Sequence, residues 1–295
     1  MKLLVIGQSV VDYVKTADKI IVQPGGIFYT VTGLLSCADK IDAIFLCTSI
    51  EKANYNLFSD VCEKVNTTFF QKAGSIPKVH LNLESGKERH EKYENLTDKL
   101  NVSFHNLDEF DGILINMITG FDISLDQLIE IRKNYKGIIY FDVHTLSRGL
   151  DENMNRNFRK IQNFNEWAEC LNIIQVNQSE LKTISDAETE IDAARELLNK
   201  GPGALIVTKE NLGARVYSKK NDEIISVYVS ALKVGVRNKV GCGDVFGAVF
   251  FYNYIKHRDL LKAVSSANKA AGLTASYNDV DELKNLKYDL FARNN

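Results

Sequence analysis

The chain is 295 residues long, with 45% hydrophobic and 25% charged residues, the balance of an ordinary globular protein. Its 18 glycines and 3 prolines exclude a proline-rich disordered chain and a fibrous repeat. The 36 basic and 38 acidic residues leave a net charge of −2 and no basic stripe suited to a phosphate backbone, so nucleic acid is excluded as a partner.

The first element is the apolar run 2–7, KLLVIG, a buried strand too short to be a secretory leader or a membrane span. Residues 13–23 read as extended and partly exposed. Residues 43–49 (AIFLCTS) form the next buried strand. The stretch 77–95 alternates sides around Ser85-Gly86, a hairpin signal. Buried strands follow at 112–116, 137–143, 172–176 and 204–209. Between them, 125–135 places Leu125, Leu128, Ile129 and Ile131 on one helical face. Residues 190–200 do the same with Ile191, Ala194, Leu197 and Leu198, behind Thr189 as N-cap. Apolar strands separated by helices predict a doubly wound, mainly parallel sheet with helices on both faces. The segments 13–23 and 77–95 are expected to form a small β lid beside it, or else ordinary surface hairpins. The five cysteines (37, 47, 62, 170 and 242) lack metal-site spacing. They read as thiols in a reducing compartment, and a cytoplasmic location without membrane contact is expected. His80, His105 and His257 are isolated, so no metal cluster is expected from them.

The segment richest in chemistry is 238–247, NKVGCGDVFG, ahead of a strongly apolar helical pattern. Gly241 and Gly243 at a helix start leave backbone N–H groups free, and with the helix dipole these form an anion site. Asp244 on the first turn would sit beside a bound phosphate, placed to accept a proton from an attacking hydroxyl. The same glycines also suit simple turn and packing roles. A dinucleotide fingerprint and a Walker pattern are both absent.

The run GCGDVFGAVF resembles the G-A-G-D signature of the ribokinase-like carbohydrate kinases, the pfkB family. Other segments follow in that family's order from residue 2 to about 277. Gly7-Gln8-Ser9-Val10-Val11-Asp12 resembles its first strand and sugar-binding aspartate. Pro24-Gly25-Gly26 resembles its di-glycine turn, and Val176-Asn177-Gln178-Ser179-Glu180 its N-x-x-E segment. Residues 207–214 resemble the nucleotide-side strand and turn, written V-T-x-G-x-x-G. Residues 266–277, with Asn268, resemble the helix near the adenine.

The resemblance implies one ribokinase-like kinase domain over 1–295, and phosphoryl transfer from magnesium-ATP to a hydroxyl of a sugar or sugar-like molecule. In it Asp244 is the base, and the N–H groups of Gly241, Cys242 and Gly243 stabilise the transferring group. Asp12, Gly25, Gly26 and Thr30 bind the acceptor. Asn177, Thr208, Gly213 and Asn268 line the nucleotide, and Glu180 orients metal-bound water. His144 and Arg148, beyond a strand end, would read an anionic acceptor such as a sugar acid, or else serve a strand-end loop. Lys87, Arg89, His90 and Lys92, interleaved with Glu84, Glu88, Glu91 and Glu94, read as a solvated hairpin face. Asn116 ends a strand without a specified role.

Several positions depart from the pattern. Asn238 and Lys239 replace Asp-Thr, which argues against the family's monovalent cation; Lys239 either supplies the missing charge or is a surface lysine. Thr30 replaces an Asn, and Ile27, Phe28 and Tyr29 make the turn more apolar. Cys242 replaces an alanine, raising the expectation of inhibition by thiol reagents. The acceptor is a sugar, a sugar acid or a nucleoside. A homodimer through the lid and a binding protein with weak catalysis both remain open on this reading.

Overall fold

The carboxyl ends of seven parallel strands set the geometry of the molecule. The computed structural model describes residues 1–15, 19–82 and 90–292; parts of both expected lid segments, and with them Lys87 and Arg89, lie outside the described residues. The strands are β1 (Lys2–Ile6), β2 (Ser9–Lys15), β3 (Ile20–Gly26), β4 (Ala43–Glu51), β5 (Phe70–Ala73), β6 (Lys78–Asn82), β7 (His90–Tyr93) and β8 (Gly112–Asn116). They continue with β9 (Ile138–Asp142), β10 (Arg148–Leu150), β11 (Arg156–Phe158), β12 (Ile173–Asn177), β13 (Ala204–Thr208), β14 (Gly213–Lys220) and β15 (Glu223–Ser230). The helices are α1 (Ile27–Cys37), α2 (Tyr55–Cys62), α3 (Leu125–Asn134), α4 (Phe164–Glu169), α5 (Gln178–Ile184), α6 (Glu190–Leu198), α7 (Cys242–His257), α8 (Leu260–Ser276) and α9 (Leu286–Ala292).

The main sheet has the order β15-β14-β13-β12-β9-β8-β1-β4-β5. Its members from β13 to β5 run parallel, and β14 and β15 are antiparallel. In β1, Leu3 and Val5 join one core while Leu4 and Ile6 join the other. That explains why the strand reads as apolar throughout: both faces are covered. Helices α1, α2, α7, α8 and α9 pack on the first face, and α3 to α6 on the second. Each Leu, Ile or Val withdrawn from water contributes about 1.5–3 kcal/mol, so the two layers fix which strand ends meet. Helix α7 is apolar nearly all round because it lies against the sheet between α1 and α8.

The expected strands and helices are found at these places. Ser124 closes a capping box on α3, and Thr189 caps α6 by accepting from the Asp192 N–H. Ile191 differs from its expected place in the apolar face: it is 43% exposed, and Ala193 is buried instead. The β14–β15 hairpin was not among the expected strands, since β15 is largely exposed and carries no continuous apolar run. Its two-residue turn uses Asn221 and Asp222, at φ of 48° and 63°.

The segments expected as a lid lie in one four-stranded sheet of order β3-β2-β6-β7. The β2–β3 hairpin begins at Ser9, and β2 pairs in parallel with β6. Val10, Val79, Leu81 and Tyr93 turn inward from this sheet onto the first core. The small sheet thereby faces the carboxyl end of the main one, where open α/β sheets bind ligands.

Candidate active site

A cavity of about 40 Å³ lies between the small sheet, the strand ends and the start of α7. Its polar walls are Asp12 of β2, Glu91 of β7, His144 and Thr145 beyond β9, and Asp244 of α7. Asp12, Glu91 and Asp244 are all buried, at 4%, 3% and 8% exposure. Among the described residues no lysine or arginine lines the cavity. Tyr29 adds an aromatic wall and takes a 2.8 Å hydrogen bond from Gln23, which ties the small sheet to α1.

Two glycines make this closeness possible. A side chain at Gly25 would fall on the Asp12 carboxylate. Gly241, the N-cap of α7, has φ of 78°, and a Cβ there would strike the Tyr29 ring. The first requirement is close approach and the second a left-handed turn.

Asp244 sits on the first turn of α7, and two groups converge on its Oδ1. Asn116 Nδ2 donates to it at 2.7 Å, and His144 Nε2 lies 3.8 Å away. His144 takes a left-handed conformation (φ 38°) uncommon without glycine, and its Nδ1 pairs with Thr145 Oγ1. The Gly243 and Asp244 N–H groups belong to the helix's first turn, where no intrahelical acceptor exists. A Cβ at Gly243 would meet nothing within 4 Å, so the turn is open on that side.

The next strand ends bring further negative charge. Asn116 and Asp142 are register partners on β8 and β9. Burial, then the nearby Glu180 and Asp244 carboxylates, push the Asp142 carboxyl well above its ordinary value. Gln175 Nε2 donates to Asp142 Oδ2 at 2.7 Å and to the Gly243 carbonyl at 3.1 Å, fastening α7 to the strand ends.

On the side of the expected nucleotide, side chains are satisfied locally. Asn177 caps α5 by accepting from the Ser179 and Glu180 N–H groups, and Glu180 accepts from the Asn177 N–H at 2.8 Å. Thr208 Oγ1 donates to the Val176 carbonyl, and Asn268 Nδ2 to the Val229 carbonyl at 2.8 Å. Gly213 opens β14 opposite Ser230. Lys239 and Glu210 form an exposed pair at 3.0 Å, so the Lys239 ammonium is engaged with Glu210. Cys242 is half-buried, its Sγ 3.7 Å from the Asn238 carbonyl.

The structure thus brings Asp12, Gly26, His144, Gly241 and Asp244 to one cavity. Thr30 is not on its wall: it is 1% exposed and accepts from Asn116 Nδ2 at 2.9 Å. Arg148 is not there either; its guanidinium stacks on Phe158 at 4.2 Å. Glu91, expected on a solvated face, is buried in the cavity wall, whereas Lys92 and Glu94 are exposed. The alternation of the 77–95 hairpin carried this signal: Glu91 shares its face with Tyr93. Asn116 was missed as a partner of Asp244 because the two are 128 residues apart in sequence.

Residues 140–285 match the model of the pfkB family carbohydrate kinases. No curated protein sequence matches the chain significantly. Among solved structures it is similar to a pyrophosphate-dependent kinase in the ribokinase family, complexed with a pyrophosphate analog and myo-inositol. The two share 15% identity over 97% of this chain and 99% of that one, with a TM-score of 0.80. It is similar also to ribokinase from Thermotoga maritima (18% identity, 98% of each chain, TM-score 0.76). A nucleoside kinase from Methanocaldococcus jannaschii matches at 18% identity over 98% of each chain, with a TM-score of 0.71. The fold is ribokinase-like, as the sequence motifs imply.

Proposed function

From a chain whose second half is a pfkB family carbohydrate kinase segment on a ribokinase-like fold, we propose an ATP-dependent transfer of a phosphoryl group to a hydroxyl of a small, neutral, sugar-like polyol. The observation that carries this reading is the first turn of α7. It presents a buried carboxylate, Asp244, to the cavity, and beside it backbone N–H groups without intrahelical acceptors.

Asp244 accepts the proton of the attacking hydroxyl as the oxygen–phosphorus bond forms. The Gly241 and Gly243 N–H groups and the helix dipole stabilise the charge on the transferring group, while the Cys242 N–H is turned to the Lys239 carbonyl at 3.5 Å. Asp12 and Glu91 accept hydrogen bonds from the acceptor's other hydroxyls, and His144 borders the reacting one. No lysine or arginine among the described residues lines the cavity, and Asp244 presents a carboxylate to it, which places neutral polyols ahead of sugar acids.

The donor's phosphates meet the open side of the turn, toward Asn177, Thr208 and Gly213. Asn268 lies farther along, on α8. Magnesium suits this end. Glu180 and Asp142 form a carboxylate pair whose crowding already raises the Asp142 carboxyl. Such ions take one or two carboxylates together with waters and phosphate oxygens. When bound, the ion would offset phosphate charge, and Glu180 would hold it. The small sheet of β2, β3, β6 and β7 serves as the lid that excludes water from the transfer.

The test is phosphate-ester formation across a panel of polyols, sugars, sugar acids and nucleosides. ATP and, because the myo-inositol-bound neighbour is pyrophosphate-dependent, pyrophosphate are the donors. The reading expects a neutral polyol with ATP to give product, and silence from sugar acids. Product with sugar acids alone would overturn the acceptor class, and product with pyrophosphate alone would overturn the donor.

A further inference from the structure

Strand β8 reads Gly-Ile-Leu-Ile-Asn, buried throughout, and its only polar side chain is Asn116 at the carboxyl end. Asn116 is 1% exposed. Its two amide hydrogens go to Thr30 Oγ1 (2.9 Å) and Asp244 Oδ1 (2.7 Å). Its own Oδ1 is buried and has no partner among the described residues. An apolar residue would suit a buried strand end better, since an unpaired buried carbonyl is costly. Flipping the amide would not relieve this cost, because it would set two oxygens against each other at Asp244. Stability of the strand end therefore does not explain this side chain, whereas the orientation of Asp244 does.

We infer that Asn116, anchored by Thr30, is a positioning residue that divides the two oxygens of Asp244. Oδ1 is held by the amide, with the His144 ring 3.8 Å away. Oδ2 accepts no hydrogen bond among the described residues and is the atom left for the acceptor hydroxyl. In the transfer, the hydroxyl proton passes to Oδ2 while the hydroxyl oxygen bonds phosphorus and the donor's bridging oxygen leaves with its electron pair. Thr30 acts two bonds away from the chemistry and not on the acceptor, and this accounts for its absence from the cavity wall. The inference rests on Asp244 being the base.

The experiment measures kcat, acceptor KM and the pH–rate profile for Asn116→Leu, Asn116→Asp and Thr30→Val, with Asp244→Asn in parallel. Misorienting a reacting group by an ångström costs about 100-fold. Asn116→Leu is therefore expected to lower kcat by about 10–100-fold, with KM changed less than about 3-fold. Thr30→Val leaves the amide one anchor and lowers kcat less. Asn116→Asp sets a second carboxylate against Oδ1, so the acid limb of its profile should move up by about one pH unit or more, because like charges disfavour ionisation. A purely structural role would lower the rate at every pH and leave the limb in place. Wild-type kcat in Asn116→Leu, or an unmoved limb in a folded Asn116→Asp, would overturn the inference. If Asn116→Asp does not fold, the kcat-against-KM split of the other two variants decides it. Activity retained by Asp244→Asn would instead overturn the assignment of the base.

Discussion

The two ends of the parallel sheet treat carboxylates in opposite ways. At the amino end, Asp42 takes the N-terminal ammonium at 2.5 Å and the Tyr252 hydroxyl at 2.7 Å. Lys2 Nζ meets Glu109 there at 2.7 Å, and its backbone N–H meets Asp111. At the carboxyl end, Asp12, Glu91, Asp142, Glu180 and Asp244 are all buried. Burial pushes Asp42 up, yet its hydrogen bonds to the N-terminal ammonium, Tyr252 and Asp39 outweigh this and hold it below the ordinary value. For Asp142 burial and neighbouring carboxylates act together, and its carboxyl is raised. Paired charge at one end favours the fold. The like charge gathered around Asp142 at the other is a cost that the proposed site for hydroxyls and cations accounts for.

The largest effect should come from the carboxyl end. Asp244→Asn keeps the shape of the first turn and removes the base, and should lower kcat by about 10²–10⁴-fold with donor affinity nearly unchanged. Initial rates and donor titration together check it. Glu91→Ala should raise acceptor KM by about 10–100-fold, the value of a hydrogen bond to a charged group, and Glu91→Gln should recover part of it. A Glu91→Ala variant with unchanged KM would place the acceptor elsewhere.

Melting curves of the metal-free protein between pH 3 and pH 9 sharpen the contrast between the ends. Asp42 has a depressed carboxyl, so its contribution to stability is present above the ordinary carboxylate range and is lost as pH falls through its folded value. Asp42→Asn should accordingly lower the melting temperature at pH 7 by about 2–4 °C, the size of a 1 kcal/mol change in a chain of this length, and by less in acid. Asp142 has the opposite sign. Its raised carboxyl favours the fold in acid and loses that contribution as pH rises, so Asp142→Asn should flatten the alkaline decline. Parallel pH curves for the two variants would erase the distinction. Smallest of all, Lys239→Ala breaks an exposed pair worth about 0–1 kcal/mol and should change kcat/KM by no more than a few-fold.

Much of the fold was legible because its strands are apolar throughout and its helices carry caps next to their periodic faces, as with Thr189 and α6. The pairing of Asn177 with Glu180 was legible for a related reason: the two complete a capping box within one helical turn, so their pattern is local. The cavity is different. Asn116 meets Asp244 across 128 positions and Thr30 across 86, and no local pattern records such pairs. Glu91 was hidden by its neighbours, since a strand with charges on both faces reads as solvated until something covers one of them. Arg148 shows the converse. It follows a buried strand and reads either as a site residue or as part of a strand-end loop, and the turn into β10 sets its guanidinium on Phe158.

The most direct measurement follows a labelled phosphoryl group. ATP carrying ¹⁸O on its γ-phosphate is incubated with magnesium and a neutral polyol, and the acceptor is weighed by mass spectrometry for the wild type and Asp244→Asn. The account predicts an acceptor heavier by one phosphoryl group with all three labelled oxygens, formed by the wild type and reduced at least about 100-fold in the variant. Label recovered only in orthophosphate, or equal product from both proteins, would contradict it.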